Sequence, residues 1–353
     1  MKVLTVIGTR PDIVKAALRR PLFERSGAQE VLVHTGQHYD HAMSQAFFDD
    51  LDIPPPDYLF TGRAAEPCER MAELLPWLRD VLDRERPDVT YVYGDVDATL
   101  SASIASARLR IPLAHAEAGV RTEHRHNPEE INRRLSDHLA DTLFPVTESC
   151  RQLLLDEGIA PDRMLMPGDP TLDMLRFATA RFGIPVVRGD YVLATIHRAE
   201  NADCPERLEA IVEGLLASGA RVVFPVHPRT RKSLERTGLH RRLEAAGDRV
   251  CLRPPLGYVE FLRVAAGANK VVTDSGTVRR EAYLLGKPVI TPIEIDWWPE
   301  IGWCGWNAVM GHPDSAKIAD AIENFEPSSE RPAYFGDGHA EERIVAALLE
   351  RYG

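Results

Sequence analysis

Short apolar runs alternate along the chain with longer segments whose apolar residues recur at helical spacing. The runs at residues 3–7, 31–34, 89–93, 113–116 and 142–144 are too short for helices and predict buried strands. Segments 11–26, 42–50, 69–84, 98–109, 129–140 and 149–157 predict helices, with a Pro- and Gly-rich loop at 52–67. Strands and helices in alternation predict a parallel sheet covered on both faces. The pattern weakens over 168–189, where Gly, Pro and Asp cluster, and a domain boundary is placed near residue 170. It restarts with strands at 191–195, 222–225, 250–252, 271–273 and 289–291 and helices at 205–217, 230–235, 258–266 and 278–285. The reading is an α/β protein of two doubly wound domains, 1–169 and 170–333, facing a cleft suited to a ligand.

Bulk properties narrow the function. A chain of 353 residues is long for one core, which agrees with two domains. The net charge of −11 argues against a polyanion-binding surface, so no nucleic-acid partner is expected. Five scattered cysteines without CxxC or zinc spacing read as reduced thiols, and a cytoplasmic location is expected. The opening MKVLTVIG reads as a strand, not a signal peptide, and no apolar run approaches the ~20 residues of a membrane span.

The densest chemistry lies in YVYGDVDATL (91–100) and PLAHAEAGVRTEHRHNPEE (112–130), which hold Asp95, Glu117, Glu129 and Glu130. Asp95 and Glu117 each directly follow an apolar run, which places them at strand ends, where open parallel sheets bind ligands. Acids at two successive strand ends, with more in the next loop, suggest an acid/base centre. Asp97 reads instead as a helix N-cap and Glu130 as a residue opening the next helix. Asp95-Val96-Asp97 matches the DxD pattern of metal-dependent glycosyltransferases, but capping is preferred to ligation, and no metal site is expected.

Two further segments suit phosphate. Gly8-Thr9-Arg10-Pro11 stands where a dinucleotide fingerprint would, without being GxGxxG. A turn there aims helix N–H groups at an anion, Arg10 adds a planar cationic fork, and Lys15 follows on the same helix. In the second half Thr273-Asp274-Ser275-Gly276-Thr277 repeats strand, turn and helix start. Ser275, Gly276 and the following N–H groups form a candidate phosphate nest, and Glu281 a candidate acceptor for ribose hydroxyls. The alternative is a plain Asp/Ser cap. His197, beside Arg198, and His227 each follow a strand.

Taken together, GTRPDIVKAA (8–17), TGQHYD (35–40), YGDVDATL (93–100), HAEAGVRT (115–122), NPEEINRRLSDHLA (127–140), ATIHRAEN (194–201), PVHPRTRK (225–232), TDSGTVRREAYLLGKPV (273–289) and FGDGHAEERI (335–344) resemble the non-hydrolysing UDP-N-acetylglucosamine 2-epimerase family over nearly the whole chain. The resemblance implies two Rossmann-like domains in the GT-B arrangement, with a C-terminal helix in 334–353 crossing back to the first. It implies inversion at C2 of a UDP-sugar by loss and re-addition of UDP, with no NAD or other cofactor. Carried over by motif, the catalytic residues are Asp95, Glu117, Glu129 and His197. Arg10, Lys15, Arg198, His227, Ser275, Gly276 and Thr277 would bind the nucleotide sugar, and Glu281 its ribose. The implied partner is a small-molecule nucleotide sugar and the implied assembly a homodimer.

TGQHYD and PVHPRTRK are worded more like the subgroup acting on 2,3-diacetamido-uronate sugars. Thr277 stands where the family has the second glycine of Ser-Gly-Gly, and Arg279 and Arg280 where Gln and Glu or Lys are usual. The stretch 292–300 lacks the family's arginine and carries Trp297 and Trp298, with Trp303 and Trp306 close behind, either as domain packing or as a changed sugar pocket. Two other readings compete: a GT-B glycosyltransferase, and a hydrolysing 2-epimerase that releases free sugar and UDP.

Overall fold

A computed structural model describes residues 1–8, 10–36, 55–62, 64, 66–122, 126–294 and 296–353, the side chains of Arg10 and Pro11 excepted. The helix expected at 42–50 lies outside the described residues. The chain divides into two compact units, Met1–Arg176 with Ala333–Gly353, and Phe177–Pro332.

In the first unit lie β1 (Lys2–Ile7), β2 (Gln29–His34), β3 (Tyr58–Leu59), β4 (Val89–Tyr93), β5 (Leu113–Ala118) and β6 (Thr142–Pro145). They pair in parallel in the order β3-β2-β1-β4-β5-β6. The second unit holds β7 (Tyr191–Thr195), β8 (Arg221–Pro225), β9 (Val250–Arg253), β10 (Lys270–Thr273), β11 (Val289–Thr291) and β12 (Asn307–Val309). These are also parallel, in the order β12-β11-β10-β7-β8-β9. Counted within each unit, both orders are the Rossmann order 3-2-1-4-5-6.

Period-two alternation explains how the first sheet is covered on both faces. Val89, Tyr91 and Tyr93 turn to one side, with Phe23, Phe144 and Ile344, Val345 and Leu348 of the C-terminal helix Ala340–Tyr352. Val92 turns to the other, with Leu74, Leu78 and Leu82 of helix Pro67–Glu85. Buried on both faces, these strands read as continuous apolar runs.

The structure differs from the sequence pattern in several places, and helices Leu239–Ala245, Pro299–Trp303 and Ser315–Asn324 are among the elements not expected. Strand β3 lies inside the expected 52–67 loop, only two residues long beside prolines. A helix, Pro170–Arg181, occupies the expected boundary region, and the division between units falls within it, after Arg176. Pro170 opens that helix, since its missing N–H is one the first turn would leave unpaired anyway. Strand β12 is too short and too unevenly buried to show in the pattern. No helix among the described residues is long and apolar enough to cross a membrane.

Candidate active site

Each sheet reverses its strand order beside its own first strand, between β1 and β4 and between β7 and β10. Ligands of such sheets bind beyond the strand ends at that switch point. In the first unit β1 runs into Gly8, whose N–H donates to Asp12 Oδ2 at 3.2 Å. A Cβ on Gly8 would lie 3.2 Å from Thr35 Oγ1, so the turn into helix Arg10–Arg25 is tight. Lys15, expected to meet phosphate, is buried, and its ammonium pairs with Glu117 Oε1.

Glu117 is unusual in its backbone. Its φ is 62°, a left-handed conformation that few non-glycine residues adopt. The register of β5 on β6 shifts between Ala116 and Ala118, so Glu117 sits on a bulge that re-aims its side chain. Such a conformation costs about 1–3 kcal/mol, and residues that carry it concentrate at functional sites.

Asp95 lies just past β4, and its carboxylate takes Arg133 Nη2. Its carbonyl accepts Asn132 Nδ2 at 2.9 Å, and the same amide donates to Asp97 Oδ1 at 3.1 Å. Asp97 is therefore not the expected N-cap. Val96 holds that position without a side-chain bond, and Asp97 anchors Asn132 instead. Glu129 is half-buried in the first turn of helix Pro128–Leu139, and its N–H donates to the cap residue Asn127.

Behind these carboxylates lies a charge network that the sequence reading missed. His115 is fully buried, with Nε2 donating to Gly94 O at 2.7 Å and Nδ1 meeting Asp137 Oδ1 at 2.8 Å. Burial alone would raise the Asp137 carboxyl, but the hydrogen bond from His115 and the Arg121 guanidinium hold it below the usual carboxylate range. A carbonyl and a carboxylate can only accept, so the ring nitrogens of His115 act here as donors. It thereby pins Gly94, at φ 59°, directly before Asp95. Arg121 joins Asp137 and Glu157 at 2.7 Å each. Glu130, expected to be a simple helix-start residue, is fully buried. It accepts the Thr122 N–H at 2.9 Å and Arg134 Nε at 2.7 Å, so it fixes the loop after β5.

In the second unit the organising group is Asp274, also fully buried. It accepts the N–H of His197 at 3.0 Å, the N–H of Arg198 at 3.1 Å and Asn201 Nδ2 at 3.1 Å. One carboxylate thus ties the turn after β10 to the turn after β7. Ser275 is the N-cap of helix Gly276–Leu284 and accepts the Val278 N–H. The capping reading of Ser275 therefore holds, and the Gly276 and Thr277 N–H groups belong to the same first helical turn. Gly276 has a packing reason as well, since a Cβ there would come within 3.1 Å of the Trp297 ring.

His197 and His227 stand side by side, with ring centroids 5.6 Å apart. Burial lowers His197 below its ordinary range, partly opposed by Asp274, and Arg198, His227 and Arg229 lower it further. His227 caps helix Pro228–Thr237, and its Nδ1 accepts the Arg229 N–H, so the ring proton sits on Nε2. Glu281 is buried, and burial together with the Glu281 charge raises the Tyr258 phenol well above its usual range. Trp297 and Trp298 are both buried. The Arg198 guanidinium lies 4.4 Å from the Trp297 ring centroid, and that of Arg280 4.6 Å from Trp298. Arg279 pairs with Asp296 beside them. The unusual arginines and tryptophans therefore form one stacked cluster next to Gly276, while Trp303 is 69% exposed. Among the described residues no group of three or more His, Cys, Asp or Glu could hold a metal ion.

The arrangement defines a doubly wound α/β protein with ion-paired carboxylates at one switch point and a serine-capped helix start at the other. Comparison with known proteins gives its family. The sequence profile described as UDP-N-acetylglucosamine 2-epimerase matches residues 20–349. The chain is 38% identical to a UDP-N-acetylglucosamine 2-epimerase homolog of Methanococcus maripaludis, over 99% of each chain. It is 36% identical to UDP-2,3-diacetamido-2,3-dideoxy-D-glucuronate 2-epimerase of Pseudomonas aeruginosa, over 99% of this chain and 100% of that one. Among solved structures, UDP-GlcNAc 2-epimerase of Methanocaldococcus jannaschii in complex with UDP-GlcNAc and UDP is similar with a TM-score of 0.87 at 34% identity, over 99% of this chain and 100% of that chain. The chain belongs to the UDP-N-acetylglucosamine 2-epimerase family, and it is an epimerase.

Proposed function

We propose that this epimerase inverts C2 of a UDP-2-acetamido sugar without hydrolysing it, by expelling UDP to leave a glycal and then adding UDP back. The observation that supports this reading most directly is the pairing of two carboxylates at one switch point with two cations, Asp95 with Arg133 and Glu117 with Lys15. Each acid is thereby fixed in direction. One carboxylate removes the C2 proton as the bond from C1 to the diphosphate oxygen breaks, which leaves a C1–C2 double bond and free UDP. A second acid returns a proton to the opposite face of C2 while a UDP oxygen re-forms the bond to C1. The sequence is redox-neutral and calls for no nicotinamide.

Inversion needs proton transfer on two faces. Asp95, Glu117 and Glu129 come from the ends of β4 and β5 and from helix Pro128–Leu139, three separate elements. Charge building on the departing diphosphate would be met by Arg10, Arg198, His197, the Nε2–H of His227 and the amides of Gly276 and Thr277. Glu281 would take the ribose hydroxyls. Lys15 serves Glu117 in this scheme more directly than it serves phosphate. The bound UDP-GlcNAc and UDP of the archaeal relative support uracil as the base, and the Pseudomonas relative supports a 2,3-diacetamido-uronate as an alternative sugar. A homodimer in the cytoplasm goes with the same reading.

Incubation with each UDP-sugar in D₂O tests it. Epimerisation places deuterium at C2 and conserves the nucleotide sugar. Release of free sugar would make the enzyme hydrolytic, and sugar transfer without exchange at C2 would make it a glycosyltransferase.

A further inference from the structure

A row of buried polar side chains crosses the first unit from the C-terminal helix to Glu117. Glu341 stands in the first turn of Ala340–Tyr352 and is 2% exposed. Its Oε1 accepts the Tyr93 hydroxyl at 2.8 Å and lies 3.8 Å from Arg19 Nη1. Tyr93 turns its ring to Lys15, whose Nζ is 5.1 Å from the ring centroid, and Lys15 closes on Glu117. Arg19 lies over the rings of Tyr91 and Tyr93, and its main partner is Glu30, at 2.8 Å. A buried carboxylate is a poor way to stabilise a core, because an apolar side chain of the same volume commonly does as well or better. Its place at the far edge of the ring that carries Lys15 suggests another use.

We propose that Glu341 is a positioning residue for Glu117, acting through the Tyr93 hydroxyl and the Lys15 ammonium. Its bearing on turnover rests on the epimerase reading above; the electrostatic coupling itself does not. Ionised Glu341 polarises the Tyr93 hydroxyl, enriches the ring face and attracts Lys15. Lys15 then neutralises Glu117 less completely, and Glu117 is the stronger base. Protonated Glu341 leaves more of the Lys15 charge to Glu117.

The groups facing Glu341 are Arg19 and Lys15 from helix Arg10–Arg25, Glu30 from β2, Tyr91 and Tyr93 from β4, and Asp173 from helix Pro170–Arg181. Burial pushes the Glu341 carboxyl up to about 7; Arg19 and Lys15 oppose the rise, and Asp173 and Glu30 add to it. The charge on Glu341 therefore changes near neutral pH.

Two measurements test the coupling. With 13C-lysine-labelled protein, the Lys15 Cε resonance, assigned with Lys15→Arg, should step between about pH 6 and 8 in the wild type and lose that step in Glu341→Gln. With the UDP-sugar turned over by the wild type, the ratio of wild-type to Glu341→Gln kcat should rise from about 1 at pH 6 to about 5 at pH 8.5, the scale of one charge acting through a partly screened interior. Tyr93→Phe, which removes only the hydroxyl, should move the rise in turnover to higher pH, and it serves if Glu341→Gln fails to fold. A ratio constant with pH would reduce Glu341 to a structural role, and a wild-type Lys15 resonance without the step would overturn the inference whatever the turnover. A step in a wild type that epimerises no UDP-sugar would retain the coupling and discard the epimerase reading.

Discussion

The carboxylate of Asp274 accepts the backbone N–H of His197 at 3.0 Å, so the strand end that carries the histidine is held by the residue just before the capping serine. With Arg198 and Asn201 also donating to it, Asp274→Ala removes the shared acceptor of two part-buried backbone N–H groups and of the buried Asn201 amide, which keeps Pro292 O at 3.0 Å. The expected loss is about 3 kcal/mol or more in urea denaturation, at ~1–3 kcal/mol for each unsatisfied group. A variant within about 0.5 kcal/mol of wild type, the scatter of neutral surface changes, would show that the latch is dispensable.

Glu130→Gln should destabilise by about 1–3 kcal/mol while UDP binding persists, because it removes the buried charge that takes the Thr122 N–H and one of the two carboxylates on Arg134. Sequence reading took Glu130 only as a residue opening the next helix. The difference is that Glu130 faces the Thr122 backbone and not solvent. A thermal melt unchanged from wild type would show that these bonds are dispensable.

Asp95→Asn, Glu117→Gln and Glu129→Gln should each lower C2 epimerisation by about 10²-fold or more, the scale of general acid–base catalysis, with UDP affinity retained. Three variants of normal turnover would remove the catalytic role of this switch point.

UDP should raise the melting temperature by mass action. Arg10→Ala and Ser275→Ala should weaken that rise, the second by loosening the helix start that presents the Gly276 and Thr277 amides. Turnover should survive EDTA. Loss of activity restored by Mn²⁺ or Mg²⁺ would revive the DxD glycosyltransferase reading.

UDP binding should take up protons near pH 6. His197 is held below its ordinary value of 6.5 mainly by burial, so the free protein keeps more of it neutral than an ordinary histidine would be. A bound diphosphate favours its charged form and raises it. Affinity should therefore strengthen as pH falls from about 7.5 toward 6, and calorimetry in buffers of different ionisation heat should register uptake, lost in His197→Gln. For the free protein the sign is opposite. A depressed histidine contributes stability present above its unfolded value and lost as pH falls through the folded one. Proton release on binding would place His197 away from the phosphates.

The strand–helix alternation, the two repeats and the acids and histidines after particular strands were all legible in the sequence, because each depends on neighbouring residues and on periodicities of two and 3.6. The order of the strands was not written in any one segment. That order alone brings Lys15 to Glu117 across 102 positions, His115 to Asp137 across 22, Asp274 to His197 across 77 and Tyr93 to Glu341 across 248. Local reading therefore gave Lys15 to phosphate and Glu130 to a plain helix start, since a charge in a sequence names no partner. The positive φ of Glu117 was hidden for the same reason: it arises where β5 slips its register on β6, and pairing between strands decides it. The sequence set which groups stand at strand ends. The tertiary structure decided which of them are buried, what each one pairs with and where each one points, because desolvation and pairing depend on the neighbours that folding supplies.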